Sequence, residues 1–411
     1  MGAPTERGLT MPAASGIRPF TIQTPESDLQ ELRDRIVATR WPDKETVEDQ
    51  SQGVALKTAK QLANYWSSAY DWRECESKLN ALPQFITEID GLDIHFIHVR
   101  SKHDNAMPLL VSHGWPGSVI EQMKIIGPLT DPTAYGGSAS DAFDVVIPSM
   151  PGYGYSGKPA EPGWGPDHVG RVWVDLMKRL GYSEFVAQGG DWGAIVVDLM
   201  GVSQPPELLG IHTNMAGTVP PEIDNLFQKN LLGAANALEN LPGGLSDEER
   251  QACEQLDFAW KHVFGQLEMA SRPQTLTGLT DSPVFLATWM LDHDAKSLAM
   301  ISRSFDGVPE GLTPDDVLDN VTHFWLTNTG VSASRIYADN KFSFWGVKGN
   351  PIPVAVSAFP DEMYVAPKSW AEQAYPNLIH YNKVEKGGHF AAWEQPQILS
   401  EEIRASFKSL R

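Results

Sequence analysis

The sequence predicts an α/β protein: a mostly parallel central sheet flanked by helices, with a block of helices inserted late in the sheet and a helical segment ahead of it. Three observations carry this prediction. Short apolar runs alternate with amphipathic segments between residues 108 and 215, the pattern of buried strands joined by crossover helices. Strand signals then fade from about residue 216 to 340 and return in PVAVSAF, residues 353–359. A glycine-rich turn, Gly189-Gly190-Asp191-Trp192-Gly193, joins one strand run directly to a helix.

Taken in order, residues 1–16 are rich in small residues, Pro and Gly, and are expected to form a disordered leader; they lack the apolar stretch of a secretion signal. Residues 17–85 are expected to form a largely helical segment ahead of the sheet, in which Leu29, Leu32, Ile36 and Val37 recur at helical spacing and Ser27 with Asp28 is the expected N-cap. QFITEIDGLDIHFIHVRS reads as a β-hairpin turning at Asp90-Gly91, with His95 and His98 expected at the surface. PLLVS (108–112) is a strand running into the loop HGWPG, and FDVVIPS (143–149) a second one running into PGYGYSG. VGRVWVDLMKRLG (169–181) is an amphipathic helix stopped by Gly181, and EFVAQ (184–188) is the strand that enters the glycine turn. Residues 216–343 are expected to be a helical cap set into the core, which comprises 86–215 and 344–411 and ends in a strand (LIHYNK) and an amphipathic helix from Pro396 to Leu410.

The composition excludes several classes. A net charge of −20 opposes nucleic-acid binding and association with anionic membranes. No run approaches the roughly 18 apolar residues of a membrane span. Cys75 and Cys253 stand far apart and form neither a CxxC pair nor a disulfide framework, so two free thiols and a cytoplasmic location are expected. No His/Cys spacing suits a metal and no GxGxxG fingerprint follows a strand, so neither metal nor cofactor is expected.

The chemistry concentrates in three loops. The turn at 189–193 has the strand–turn–helix context and the small–x–nucleophile–x–small spacing of a nucleophile elbow, with Asp191 where esterases place Ser. A carboxylate attacks an sp³ carbon to give an alkyl ester, whereas attack on an acyl group would give a labile anhydride. The bland alternative is an Asp that caps a helix in a glycine turn. The loop His113-Gly114-Trp115-Pro116-Gly117 would bring the Trp115 backbone N–H beside that of Trp192, a pair able to hold an oxyanion. Gly387-Gly388-His389-Phe390 lies in the last loop, where the order nucleophile–acid–His places a base. The orienting acid should follow PVAVSAF, where Phe359-Pro360-Asp361-Glu362 offers two carboxylates between which spacing alone does not choose.

These segments, with RWPD (40–43), YDWR (70–73), RPQT (272–275), DSPV (281–284), RIYADN (335–340) and GGHFAAWEQP, resemble the microsomal-type epoxide hydrolases of the α/β-hydrolase superfamily, over nearly the whole chain from about residue 18. The resemblance implies that Asp191 is the nucleophile, His389 the base, Glu362 the acid, and Tyr337 a cap donor to the epoxide oxygen. It implies a small-molecule epoxide as the partner, no cofactor, and an N-terminal strap around core and cap; a homodimer is one admissible assembly. Membrane-anchored relatives carry an N-terminal apolar helix, and this chain shows none. The family's second cap tyrosine should lie near Phe264-Gly265, yet no tyrosine occurs between Tyr182 and Tyr337; the second donor is therefore missing, or replaced by a nearby group such as His262, Trp260 or water. A haloalkane-dehalogenase-like enzyme, with the same Asp–His–acid machinery and indole N–H groups for halide, is the alternative.

Overall fold

The computed structural model describes residues 16–229, 237–262 and 264–411. All of the expected leader except Gly16 lies outside the described residues. The strands are β1 (Arg18–Pro19), β2 (Gln84–Ile89), β3 (Leu92–Val99), β4 (Met107–Ser112), β5 (Phe143–Pro148), β6 (Phe185–Gly189), β7 (Leu208–Thr213), β8 (Val354–Ala358) and β9 (Leu378–Lys383). They form one sheet in the order β1-β2-β3-β5-β4-β6-β7-β8-β9. The first three pairings are antiparallel and those from β5 to β9 are parallel. This is the mostly parallel α/β sheet the sequence predicts.

Local chemistry explains the elements that position the site. The β2–β3 hairpin turns on Asp90 (φ 53°) and Gly91 (φ 79°), two left-handed residues whose turn matches the right-handed twist of the strands. β4, β5 and β6 are nearly all apolar because helices cover both faces. In the β4–β6 ladder Ser112 pairs with Gly189, so the loops that follow these strands leave the sheet side by side.

Two expectations fail, each for an identifiable reason. The first strap helix, Glu26–Val37, starts after Pro25, and no side chain caps it. The fixed φ of Pro25 (−61°) presets the chain for entry, and Glu26 and Asp28 meet the positive end of the helix dipole. His95 and His98 are buried rather than at the surface. β3 lies inside the sheet, and both imidazoles are satisfied there: His95 by Ser149 and Gln84 at 2.9 and 3.0 Å, His98 by the Tyr182 hydroxyl at 2.9 Å.

Beyond β7 come the helices Pro221–Lys229, Asp247–Lys261, Phe264–Ser271, Pro283–Leu291, Ala295–Phe305, Pro314–Leu326 and Gly330–Asp339, before β8 resumes the sheet. The strap braces this helical layer from outside. Trp66 Nε1 donates to Thr322 Oγ1 at 2.9 Å, and the Tyr65 and Tyr70 hydroxyls donate to Asp315 and Asp319 at 2.8 Å each. Cys75 and Cys253 are free, as expected, and both are buried. Among the described residues no helix is long and apolar enough to cross a membrane.

Candidate active site

Asp191 begins the helix Trp192–Ser203 with φ 51° and ψ −131°, a conformation that L residues avoid. Glycines make the turn feasible. A Cβ on Gly193 would run into the Ser112 carbonyl, one on Gly189 into the Gly193 carbonyl, and one on Gly114 into the Asp191 carboxylate itself. The strained turn lifts Asp191 above the carboxyl ends of β4 and β6, buried to 6% exposure under the cap.

The two carboxylate oxygens of Asp191 have different surroundings. Oδ1 accepts the Trp115 backbone N–H at 2.7 Å. The Trp192 backbone N–H also bonds the carboxylate. Oδ2 lies 3.5 Å from His389 Nε2 and 3.8 Å from His293 Nε2. His389 Nδ1 is 2.7 Å from Glu362 Oε1, which also accepts the Met363 N–H. The two carboxylates of the acid loop part company: Glu362 is buried against His389, while Asp361 is half-exposed and pairs with Lys296 at 3.3 Å. Tyr337, in the helix Gly330–Asp339, sets its ring edge-on to Trp192 at 4.7 Å and to Trp115 at 6.2 Å.

Electrostatics follow from this packing. Burial alone would raise the Asp191 carboxyl, but the His389 hydrogen bond and the His389 and His293 charges outweigh it and hold the group ionised, below its usual value. Burial alone would lower His389, yet Glu362 and Asp191 together hold it well above the usual imidazole value. Burial, with the Asp191 charge, keeps the Tyr337 hydroxyl protonated. The site can therefore present a carboxylate nucleophile, an oriented imidazole and a phenolic donor at one point.

Residues 17–122 match the family described as epoxide hydrolase N terminus, and residues 107–396 match the α/β hydrolase fold. A provisionally named epoxide hydrolase of Stigmatella aurantiaca is 46% identical over 96% of this chain and 86% of its own length. Epoxide hydrolase 1 of Sus scrofa is 34% identical over 96% of this chain and 89% of its own. The chain belongs to the epoxide hydrolase family. The crystal structure of juvenile hormone epoxide hydrolase from Bombyx mori superposes with a TM-score of 0.82 at 30% identity, covering 96% of this chain and 95% of that one. The Aspergillus niger epoxide hydrolase gives 0.78 at 26% identity over 96% of each chain.

This epoxide hydrolase departs from the expected arrangement in the cap. Gly265 occupies the region expected to carry the second tyrosine, and a Cβ there would already touch the Trp289 indole at 3.5 Å. Neither suggested side-chain replacement is found at the nucleophile. His262 is exposed, its Nδ1 bonded to the Phe258 carbonyl at 2.7 Å, and Trp260 packs at the edge of the core cluster. The residue that does reach Asp191 is His293, buried, with Nδ1 3.2 Å from Asp294 Oδ2. Sequence reasoning missed it because His293 sits in LDHDAK, among cap helices, with no glycine signature; the adjacent His-Asp pair was the available signal. Tyr153, from PGYGYSG, was also missed; its hydroxyl is buried without a partner, and its proton is held by burial and by the nearby Tyr337 and Asp191. Asp191, His293 and His389 bring ligand-type atoms within 4.8 Å of one another, close enough to share a cation, although a proton-transfer site asks the same closeness of them.

Proposed function

We propose that this epoxide hydrolase forms its vicinal diol in two steps through an ester on Asp191. Oδ2 attacks an epoxide carbon and the C–O ring bond breaks, while the Tyr337 hydroxyl donates to the ring oxygen. Water then adds to Cγ of the ester, its proton passing to His389 Nε2, and Glu362 steadies the imidazolium. The negative charge developing on Oδ1 meets the N–H groups of Trp115 and Trp192. One observation carries the reading: Oδ1 is already seated on a backbone donor at 2.7 Å while Oδ2 faces the imidazole at 3.5 Å, so the carboxylate is divided into a future carbonyl oxygen and a nucleophile.

The His389 shift gives the order of events. Its imidazolium is favoured partly by the Asp191 charge. Alkylation makes Asp191 a neutral ester and removes that support, so His389 loses its proton more easily and becomes a base when the ester needs one. The test is a single turnover of styrene oxide in ¹⁸O water. Unlabelled diol, with label left in the Asp191 peptide, supports the ester route; labelled diol with unlabelled protein overturns it. The dehalogenase alternative keeps one supporting observation: the Trp115 indole Nε1 is buried without a hydrogen-bond partner, the Trp192 indole beside it turns to the Tyr337 hydroxyl, and the two could hold a halide. Halide release from chloroalkanes without diol formation from epoxides would favour it.

A further inference from the structure

We propose that His293 is a second acid for the epoxide oxygen, doing in this chain what a tyrosine at Gly265 cannot: its imidazolium, held by Asp294, gives its Nε2 proton to the alkoxide as Asp191 attacks. The inference rests on the ester route above. A ring-opened alkoxide is a strong base, and loss of one well-placed donor typically costs about 10²–10³ in rate. The described cap offers Tyr337 and, at the other suggested position, only glycine with Trp289 filling the space beside it.

His293 meets the geometric needs of a donor. It lies between the helices Pro283–Leu291 and Ala295–Phe305, so its backbone is held from both sides. Nε2 is 3.8 Å from Asp191 Oδ2, too far for a hydrogen bond to the resting carboxylate and near the atom around which the epoxide must react. The ring stacks at 4.5 Å on His389 and lies 6.1 Å from Trp115. Asp294 fixes the orientation twice over. Its Oδ2 takes His293 Nδ1, and its Oδ1 accepts the Ser297 N–H at 2.8 Å as the N-cap of the next helix. Burial works against the Asp294 charge, but the His293 hydrogen bond and charge hold the carboxyl at about 2, so an anion faces Nδ1 at neutral pH. Tyr153, the other unassigned hydroxyl nearby, has no carboxylate to replenish a proton.

The site thus holds two imidazoles, each gripped at Nδ1 by its own carboxylate and each turned by Nε2 toward one oxygen. They can divide the work. In the first step Asp191 Oδ2 bonds to carbon, the ring C–O bond breaks, and the His293 proton goes to the ring oxygen. Once Asp191 is a neutral ester, His389 gives its resting proton to solvent and regains it at the end of the cycle; in between, one water proton goes to His389 and on to the departing alcohol oxygen. The proton left on the re-formed Asp191 carboxyl returns to His293, and the cycle balances as epoxide plus water to diol.

The test isolates ester formation. A His389→Gln enzyme is mixed rapidly with styrene oxide, and the Asp191 ester is timed by intact-protein mass. Adding His293→Gln should slow its appearance about 10²–10³-fold. Adding Asp294→Asn, which keeps an oxygen to cap the helix, should slow it about tenfold and serves if the first variant folds poorly. Ester formation within about threefold of the His389→Gln rate in both double variants would overturn the proposal while leaving the ester route intact. Absence of any ester in His389→Gln alone, where the parent turns over, would sink the ester route and this inference with it. Finally, with His389 present, His293→Gln should slow ester formation far more than ester hydrolysis; equal slowing of both steps would make His293 a support for His389 and overturn its role as an acid.

Discussion

At the scale of single residues, the proposed cycle assigns each group a distinct defect. Asp191→Asn should abolish steady turnover, since a neutral amide oxygen is a poor nucleophile; diol formation measured over many turnovers checks it. His389→Gln should leave alkylation and stop hydrolysis, so a stoichiometric mass adduct should remain on the Asp191 peptide. Tyr337→Phe should slow alkylation about 10²–10³-fold, and an unchanged rate would reassign the donor. The His389 shift predicts a pH effect with a definite sign: raised by Glu362 and Asp191 in the free enzyme, its proton affinity should fall in the ester. The acid limb of single-turnover ester hydrolysis should therefore lie at lower pH than the imidazole titration of the free protein seen by NMR. Much of this was legible, because a nucleophile elbow demands glycines at fixed offsets and leaves its trace in the chain. His293 was not, because a histidine reaching the site from a cap turn needs only space and one carboxylate neighbour. Nor could spacing choose between Asp361 and Glu362, which the fold sends to solvent and to His389 respectively.

At the scale of elements, the close approach of β4 to the elbow helix depends on Gly193. Gly193→Ala should destabilise the protein strongly and lower the yield of folded enzyme, because its Cβ would meet the Ser112 backbone, which cannot move without breaking the ladder. The strap–cap contact makes a pH-dependent contribution. Burial raises Asp319 to about 6, and the Tyr70 hydroxyl bond only partly offsets this. An acid that is weaker when folded contributes most when protonated, and that contribution is lost as pH rises from the unfolded carboxyl value through about 6. Asp319→Asn keeps an acceptor for Tyr70 and removes the buried charge, so it should raise Tm at pH 7 and have little effect at pH 4; a lower Tm at pH 7 would refute the argument. The hairpin, the strands and the late return of the sheet were legible from alternation and glycine placement. The burial of His95 and His98 was not, since whether a strand is interior depends on pairings that a single hairpin does not reveal.

At the scale of the whole molecule, one hydrophobic cluster joins Leu62 and Trp66 of the strap, Val172 and Ile195 of the core, and Leu286 and Phe324 of the cap. Regions that share a core should melt together. Calorimetry should show one unfolding transition, and two resolved transitions would show that the cap or strap is an independent unit. The same sharing explains why the helical insertion could be recognised as a break in the strand pattern while its packing against the strap could not: those contacts join residues some 250 positions apart, such as Tyr65 and Asp315.

The unequal oxygens of Asp191 also set how long the enzyme remembers its isotopic history. If Oδ1 stays on the Trp115 N–H through the cycle, only Oδ2 is ever surrendered to product, and water refills that same position. Each active site would then release one unlabelled diol in ¹⁸O water, and every later diol would carry solvent oxygen. A carboxylate that flipped between turnovers would release both original oxygens, and the unlabelled product would approach two per site. Counting that product to high turnover number therefore measures the rigidity of one side chain during catalysis.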